Sequence, residues 1–290
     1  MSARGAERFI SVWRLLRTVA RKFVEDHGWI LASALAFNLL LYFIPLSLLM
    51  ISLLGYTVLD SERAMQEVQA ALKSFLPRSQ HDVADNLAAV VADRGLLGFF
   101  GFASFFVFST FVFSSARTAL NRVFQVKEER SLVKGAGVDF MMIGLMALLL
   151  LLAFGVTGFL TMAGAFAERY PSWNAVLQPG LAAFGKAAAV VVTGLLFYVL
   201  YRFSPAETLS SRGLLVASAS GTLLFQFARW GFAWYVRFAP ATIELYGTIG
   251  SVMFFFVWLY YASAVFIVGA EVGWAYDQEK ARAARSQSVA

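Results

Sequence analysis

The stretch WILASALAFNLLLYFIPLSLLMISLLG, Trp29 to Gly55, decides how the rest of this chain is read. No Asp, Glu, Lys, Arg or His occurs from Gly28 to Leu59. At a helical rise of about 1.5 Å per residue, roughly 20 apolar residues cross the hydrocarbon core of a bilayer, and this run is longer. A helix that is apolar all round is either buried in a large core or in lipid. Five further apolar runs follow in the same chain. With 59 % hydrophobic and 14 % charged residues in 290, against roughly 45–50 % and 25 % in soluble proteins, the bilayer is the solvent for most of the protein.

The expected fold is all-α. It is a polytopic membrane protein of six transmembrane helices, with an N-terminal interfacial amphipathic helix and a short helical outer (periplasmic) segment. The spans fall at about 29–55, 95–115, 139–163, 181–201, 213–235 and 247–270. Residues 1–28 form the cytoplasmic amphipathic helix, 29–274 the six-span membrane domain with a periplasmic helical loop over 56–94, and 275–290 a cytoplasmic tail, unstructured after Glu279. In residues 8–24, Phe9, Val12, Trp13, Leu16, Ala20 and Phe23 recur at helical spacing, with Arg14, Arg17 and Arg21 elsewhere on the surface. That pattern suits a helix lying against anionic headgroups. In the loop, two short amphipathic helices are expected on either side of Pro77, which breaks helical continuity. Ala34-Leu35-Ala36 resembles a signal-peptidase site, but few apolar residues precede it and the run continues far beyond, so cleavage is not expected.

Basic loops stay in the cytoplasm. With the N-terminus there, the cytoplasmic segments hold 16 of 24 basic and 10 of 18 acidic residues, so that side carries the whole net charge of +6. The basic pI of 9.6, which would otherwise suggest nucleic acid, is explained by topology, and no nucleic-acid partner is expected. The chain has no cysteine, which excludes disulfides, thiolate metal sites and Cys nucleophiles. Only His27 and His81 are present, too few for an ordinary zinc site. No cofactor is expected.

Three segments carry a family resemblance: ASALAFNLLLYFIPLSLLMISLLG in the first span, SSARTALNRVFQVKEER leaving the second, and YGTIGSVMFFFVWLYYASAVFIVGAEV in the sixth. The RFSP turn before the fifth span fits as well. In this order and spacing the set resembles the YihY/BrkB family of bacterial inner-membrane proteins, from about Trp13 to Trp274. The resemblance implies a multi-pass protein of the inner (plasma) membrane with both termini cytoplasmic, in agreement with the charge count. It supplies leads of unequal weight: a virulence-factor name tied to serum resistance, an older ribonuclease BN label, and a link to lipid or lipopolysaccharide export.

Ionisable groups inside membrane spans are functional candidates because each costs several kcal/mol unless paired or wetted. Lys186 in the fourth span, Arg229 in the fifth and Arg237 just beyond it are candidates for a basic pocket in the outer half, with Glu244 as a pairing carboxylate. Arginine binds phosphate or carboxylate headgroups bidentately. The alternative is that the long side chains snorkel to the headgroup layer. Asn38 and Pro45 in the first span, and Gln226 in the fifth, either line a cavity or serve as interhelical glue. Glu271 closes the sixth span, where a carboxylate opposes the helix dipole, and is read either as a structural ion pair at the interface or as a proton-coupling site. Arg117 or Arg122 is its expected partner, and Arg117, Asn121, Arg122 and Glu271 together make a candidate cytoplasmic gate or ion pair. Gly269 and Gly273 form a GxxxG that permits close helix approach or a homo-oligomer.

Metal-assisted RNA cleavage needs clustered acids or histidines, and Glu128, Glu129, Asp139 and Glu207 show no such spacing, so ribonuclease activity and enzymes in general are not expected. Two readings remain. One is a transporter or translocator of lipid or another anionic envelope component, with membrane lipids as partners. The other is a non-transporting scaffold for envelope assembly or virulence. No nucleotide-binding loop is present, so any transport is passive, ion-coupled or driven by a partner.

Overall fold

A computed structural model of the chain describes residues 3–57, 94–169, 171–238 and 240–289. The expected loop helices beside Pro77 lie outside the described residues. Among those described there are seven helices: α1 (Ala3–Glu25), α2 (Gly28–Thr57), α3 (Arg94–Val123), α4 (Leu132–Arg169), α5 (Pro171–Phe203), α6 (Ser211–Phe238) and α7 (Pro240–Val289). The fold is all-helical.

Five stretches, within α2, α3, α4, α5 and α7, are long and apolar enough to cross a membrane. The fifth expected span falls in α6, whose 28 residues reach about 42 Å at helical rise. Length is sufficient there, but Ser218, Ser220, Thr222, Gln226 and Arg229 dilute its apolar character, so the count of six is approximate. α6 handles its hydroxyls internally. Ser218 Oγ donates to Leu214 O and Thr222 Oγ1 to Ser218 O, each at 2.7 Å, which leaves neither polar group unsatisfied in an apolar setting. Large apolar side chains such as Leu148, Leu151, Phe154, Phe159 and Val191 point outward. Water would penalise such a surface and hydrocarbon would not.

α7 continues to Val289, where the sequence suggests an unstructured tail after Glu279. The reason is local. Residues 278–285, Gln-Glu-Lys-Ala-Arg-Ala-Ala-Arg, are strong helix formers with no Gly or Pro to stop them.

The chain forms two compact units: Met1–Gly28, Ala116–Gln226 and Val265–Ala290 make the first, and Trp29–Ser115 and Phe227–Ala264 the second. In the first unit α7 lies close against α6. A Cβ added to Gly269 would stand 2.7 Å from the Gly221 Cα, and one at Gly273 2.8 Å from the Gly213 carbonyl oxygen. Those are backbone atoms and cannot swing aside. The GxxxG of α7 therefore meets the Gly213, Ala217, Gly221 stripe of α6 within one chain. Tyr201 of α5 seals this contact by donating its hydroxyl to Phe266 O at 2.7 Å. The second unit is packed by aromatic pairs, among them Phe43–Phe255 at 4.7 Å and Phe232–Trp258 at 5.1 Å between centroids, the offset arrangement that ring quadrupoles favour.

Candidate functional site

The first unit holds a buried charge cluster built from the C-terminal ends of α1 and α3 and from the interior of α7. The C-terminus of α3 provides its floor. Gln125 adopts a left-handed backbone, φ 54°. This lets Val126 N–H donate to Asn121 O at 3.0 Å and Gln125 N–H to Arg122 O at 3.2 Å. That is a Schellman arrangement, which satisfies two of the orphan carbonyls at a helix end. The Val123 carbonyl accepts instead from Lys22 Nζ, at 2.8 Å. A cation at a helix C-terminus also answers the negative end of the dipole.

Lys22 is placed there by α1. Val19, Lys22, Phe23 and Asp26, spaced at i, i+3, i+4 and i+7, are all buried. The expected interfacial face divides differently. Phe23 faces inward, while Leu16 is 54 % exposed and Ala20 is exposed as well. The reason is charge pairing: Lys22 and Asp26 find partners inside the unit, so α1 turns its mixed face inward. The side chains of Phe9, Val12 and Trp13 lie outside the described part. Asp26 and His27, the latter with φ 58°, connect α1 to α2.

Lys22, only 4 % exposed, uses its ammonium fully. Besides Val123 O it donates to Asp26 Oδ2, lies 3.3 Å from Glu271 Oε2, and sits over the Trp274 ring 4.3 Å from its centroid. Glu271 is 0 % exposed. Oε2 is within ion-pair distance of Lys22, yet among the described residues no donor reaches either carboxyl oxygen in hydrogen-bond geometry. Two carboxylates, Asp26 and Glu271, thus share one buried ammonium. Arg122, exposed, approaches Asp26 Oδ1 with Nε at 3.6 Å.

Lys22 thereby takes the place the sequence assigns to Arg117 or Arg122 as partner of Glu271. Arg117 instead donates to Asp139 Oδ1 at 2.6 Å and ties α3 to α4. Asn121, buried, accepts the Ala206 N–H on Oδ1 at 2.9 Å and holds the turn after α5. Arg130 donates to Ser204 O at 3.1 Å and closes the C-terminus of α5. Burial, then the Arg117 charge, holds the Arg130 pKa below its ordinary value, with Asp139 acting in the opposite sense. Asp277 accepts from Ser210 N–H at 2.7 Å and from Ser210 Oγ at 2.6 Å at the N-terminus of α6, where a carboxylate is favoured.

The other expected residues are placed as follows. Asn38 Nδ2 donates to Ser115 Oγ, an α2–α3 bond within the second unit. Pro45 is buried inside α2, and Gln226 is half-buried in α6. Lys186 belongs to the first unit and Arg229 to the second, and each side chain is exposed. The side chains of Arg237 and Glu244 lie outside the described part. Sequence reasoning missed Lys22, Asp26 and Trp274. A signal for them exists: Lys22 and Asp26 interrupt the stripe that Val19 and Phe23 continue. Among the described residues no three His, Asp or Glu side chains gather to hold a metal.

The family model for virulence factor BrkB matches residues 19–290. A UPF0761 membrane protein of Pseudoalteromonas atlantica is 26 % identical over 238 residues, 80 % of this chain and 77 % of that protein. One of Alteromonas mediterranea is 27 % identical over 269 residues, covering 89 % and 87 %. One of Aliivibrio salmonicida is 23 % identical over 264 residues, covering 90 % and 82 %. No solved structure matches. These relatives carry membrane-protein names and no enzymatic one. A match across residues 19–290, in a chain of long apolar helices, makes this an integral membrane protein of the virulence factor BrkB family.

Proposed function

We propose that the protein is a non-enzymatic translocator of an amphipathic, anionic envelope component, with anionic lipid as the substrate class. One observation carries this reading: the Lys22–Asp26–Glu271 cluster, in which two carboxylates share one buried ammonium inside the first unit. Buried charges cost several kcal/mol even when paired, and in membrane proteins they mark substrate or ion pathways. Lys186 in the first unit and Arg229 in the second are each exposed within a helix of spanning length, and each by itself offers a basic group to an anionic headgroup. In this reading both termini are cytoplasmic, as the distribution of Lys and Arg favours.

The test is lipid movement in proteoliposomes, with fluorescent phospholipid and a membrane-impermeant quencher. Quenching beyond the outer-leaflet fraction, reduced in Arg229→Ala and Glu271→Gln with insertion unchanged, supports translocation. Quenching confined to the outer leaflet for both zwitterionic and anionic lipids overturns it and favours the scaffold.

A further inference from the structure

We propose that Glu271 is a proton-binding site, and that a proton on it competes with Lys22 for the carboxylate and so releases the end of α1 from α3 and α7. This deepens the translocator reading by naming its coupling ion, and it rests on that reading only for its purpose.

The groups facing Glu271 can be named element by element. From α1 come Lys22, at 3.3 Å from Oε2, and Asp26, which shares that ammonium. From α3 come the Val123 carbonyl, bound to Lys22, and Arg122, which acts through Asp26. α6 meets this part of α7 with Gly213, Ala217 and Gly221, none of them titratable. α5 contributes Tyr201, whose hydroxyl already donates to Phe266 O. Lys22 is therefore the one cation in contact with Glu271 among the described residues.

Lys22 near the end of α1 and Asp26 just after it are four residues apart and ion-paired, so they can leave together as a neutral pair. Glu271 cannot follow, because its helix is locked against α6. If α1 lifts while Glu271 is ionised, a fully buried carboxylate is left with no cation, which is strongly unfavourable. If a proton from the aqueous phase first forms an O–H bond at Oε1, which lies away from Lys22 and like Oε2 has no hydrogen-bond donor among the described residues, α7 is left neutral and the charge penalty is removed. Docking of α1 and ionisation of Glu271 are linked, and linkage is reciprocal: acid loosens α1, and a loosened α1 favours protonation.

The absence of cysteine gives a clean assay in the full-length protein in nanodiscs. Val19→Cys places a thiol at a position 5 % exposed on the docked face, and Leu16→Cys one on the open face. Labelling of the first by a soluble thiol reagent, divided by labelling of the second, cancels the intrinsic pH dependence of the thiol. The ratio is expected to rise several-fold as pH falls. With Glu271→Gln it should be high at every pH. With Asp26→Asn, which leaves Lys22 to Glu271 alone, the rise should move to lower pH. Should Glu271→Gln fail to fold, the Asp26→Asn shift decides alone. A ratio flat with pH in the parent protein, or a Glu271→Gln protein as protected as the parent at the alkaline end of the titration, overturns the proposal. The readout involves no transport. A pH-dependent ratio without lipid movement would leave the proton site standing and remove the translocator, and the converse would remove only the proton site.

Discussion

Replacing Lys22 by Met keeps the length of the side chain and removes its charge. The ammonium has four neighbours: Asp26, the Val123 carbonyl at 2.8 Å, Glu271 at 3.3 Å and the Trp274 ring at 4.3 Å. Asp26 keeps Arg122 at 3.6 Å, so its loss is partly covered. Glu271, with no exposure, keeps nothing. Breaking a buried pair in this way costs about 3–5 kcal/mol. The carboxyl has one escape, which is to take up a proton. The penalty shrinks as pH falls, because acid supplies the neutralisation that the lysine did. Thermal unfolding of the nanodisc-embedded protein, followed by tryptophan fluorescence, should show Lys22→Met melting about 5–10 °C below the parent at pH 7 by the scaling of domains of this size. The gap should narrow at pH 5. Arg21→Met is the control. Arg21 and Glu25 form the neighbouring i,i+4 pair of α1 at 3.4 Å, but both are exposed, and such pairs contribute about 0–1 kcal/mol. A Lys22→Met protein that melts with the parent, or a gap equal at the two pH values, refutes the claim that Lys22 neutralises a buried Glu271.

Three further outcomes can be checked by the same melting assay. Gly269→Ala should destabilise by about 1–3 kcal/mol, since its Cβ would press on the Gly221 backbone at 2.7 Å, whereas Gly155→Ala, with nothing within 4 Å, should be neutral or gain up to about 1 kcal/mol from helix propensity. Tyr201→Phe removes a buried hydrogen bond to Phe266 O and should cost about 0.5–1.5 kcal/mol. Asp277→Asn keeps an acceptor for Ser210 but loses the charge at the α6 N-terminus, with an expected loss of about 0.3–1 kcal/mol.

Most of the helices are legible in the sequence because the bilayer sets a length and forbids unpaired backbone groups. Trp29–Gly55 can be little else but a span, and α2 runs through it from Gly28 to Thr57. α6 is harder, because its small and polar residues serve contact with α7 and lower its apolar signal. The end of α7 is misread for want of a stop, as charged residues alone do not end a helix. The end of α3 lacks the glycine that usually announces a Schellman cap; Gln125 takes the left-handed position, so the free Val123 carbonyl that receives Lys22 could not be foreseen. The polar residues of the site are another matter. Glu271 is conspicuous as a carboxylate at the end of an apolar run. Lys22 is not, because periodicity assigns a lysine on an amphipathic helix to water, and only the carboxylate on a distant helix reverses that assignment.

Hydrophobicity cannot say which face of a spanning helix points inward, since lipid and protein interior are equally apolar. The residues that specify packing are then the small and the polar ones, and here the two kinds act on α7 within one turn. Gly269 and Gly273 fix that turn against the backbone of α6, with no room for a methyl group on either side. Glu271 lies between them and faces α1. The carboxylate is therefore mounted on a helix that cannot retreat, and its counter-ion on a helix whose described end is anchored by the buried Val19 and Phe23 and by the ion pair itself. A change in the charge of Glu271 would therefore bear on its contact with α1, because the glycines hold α7 to the backbone of α6.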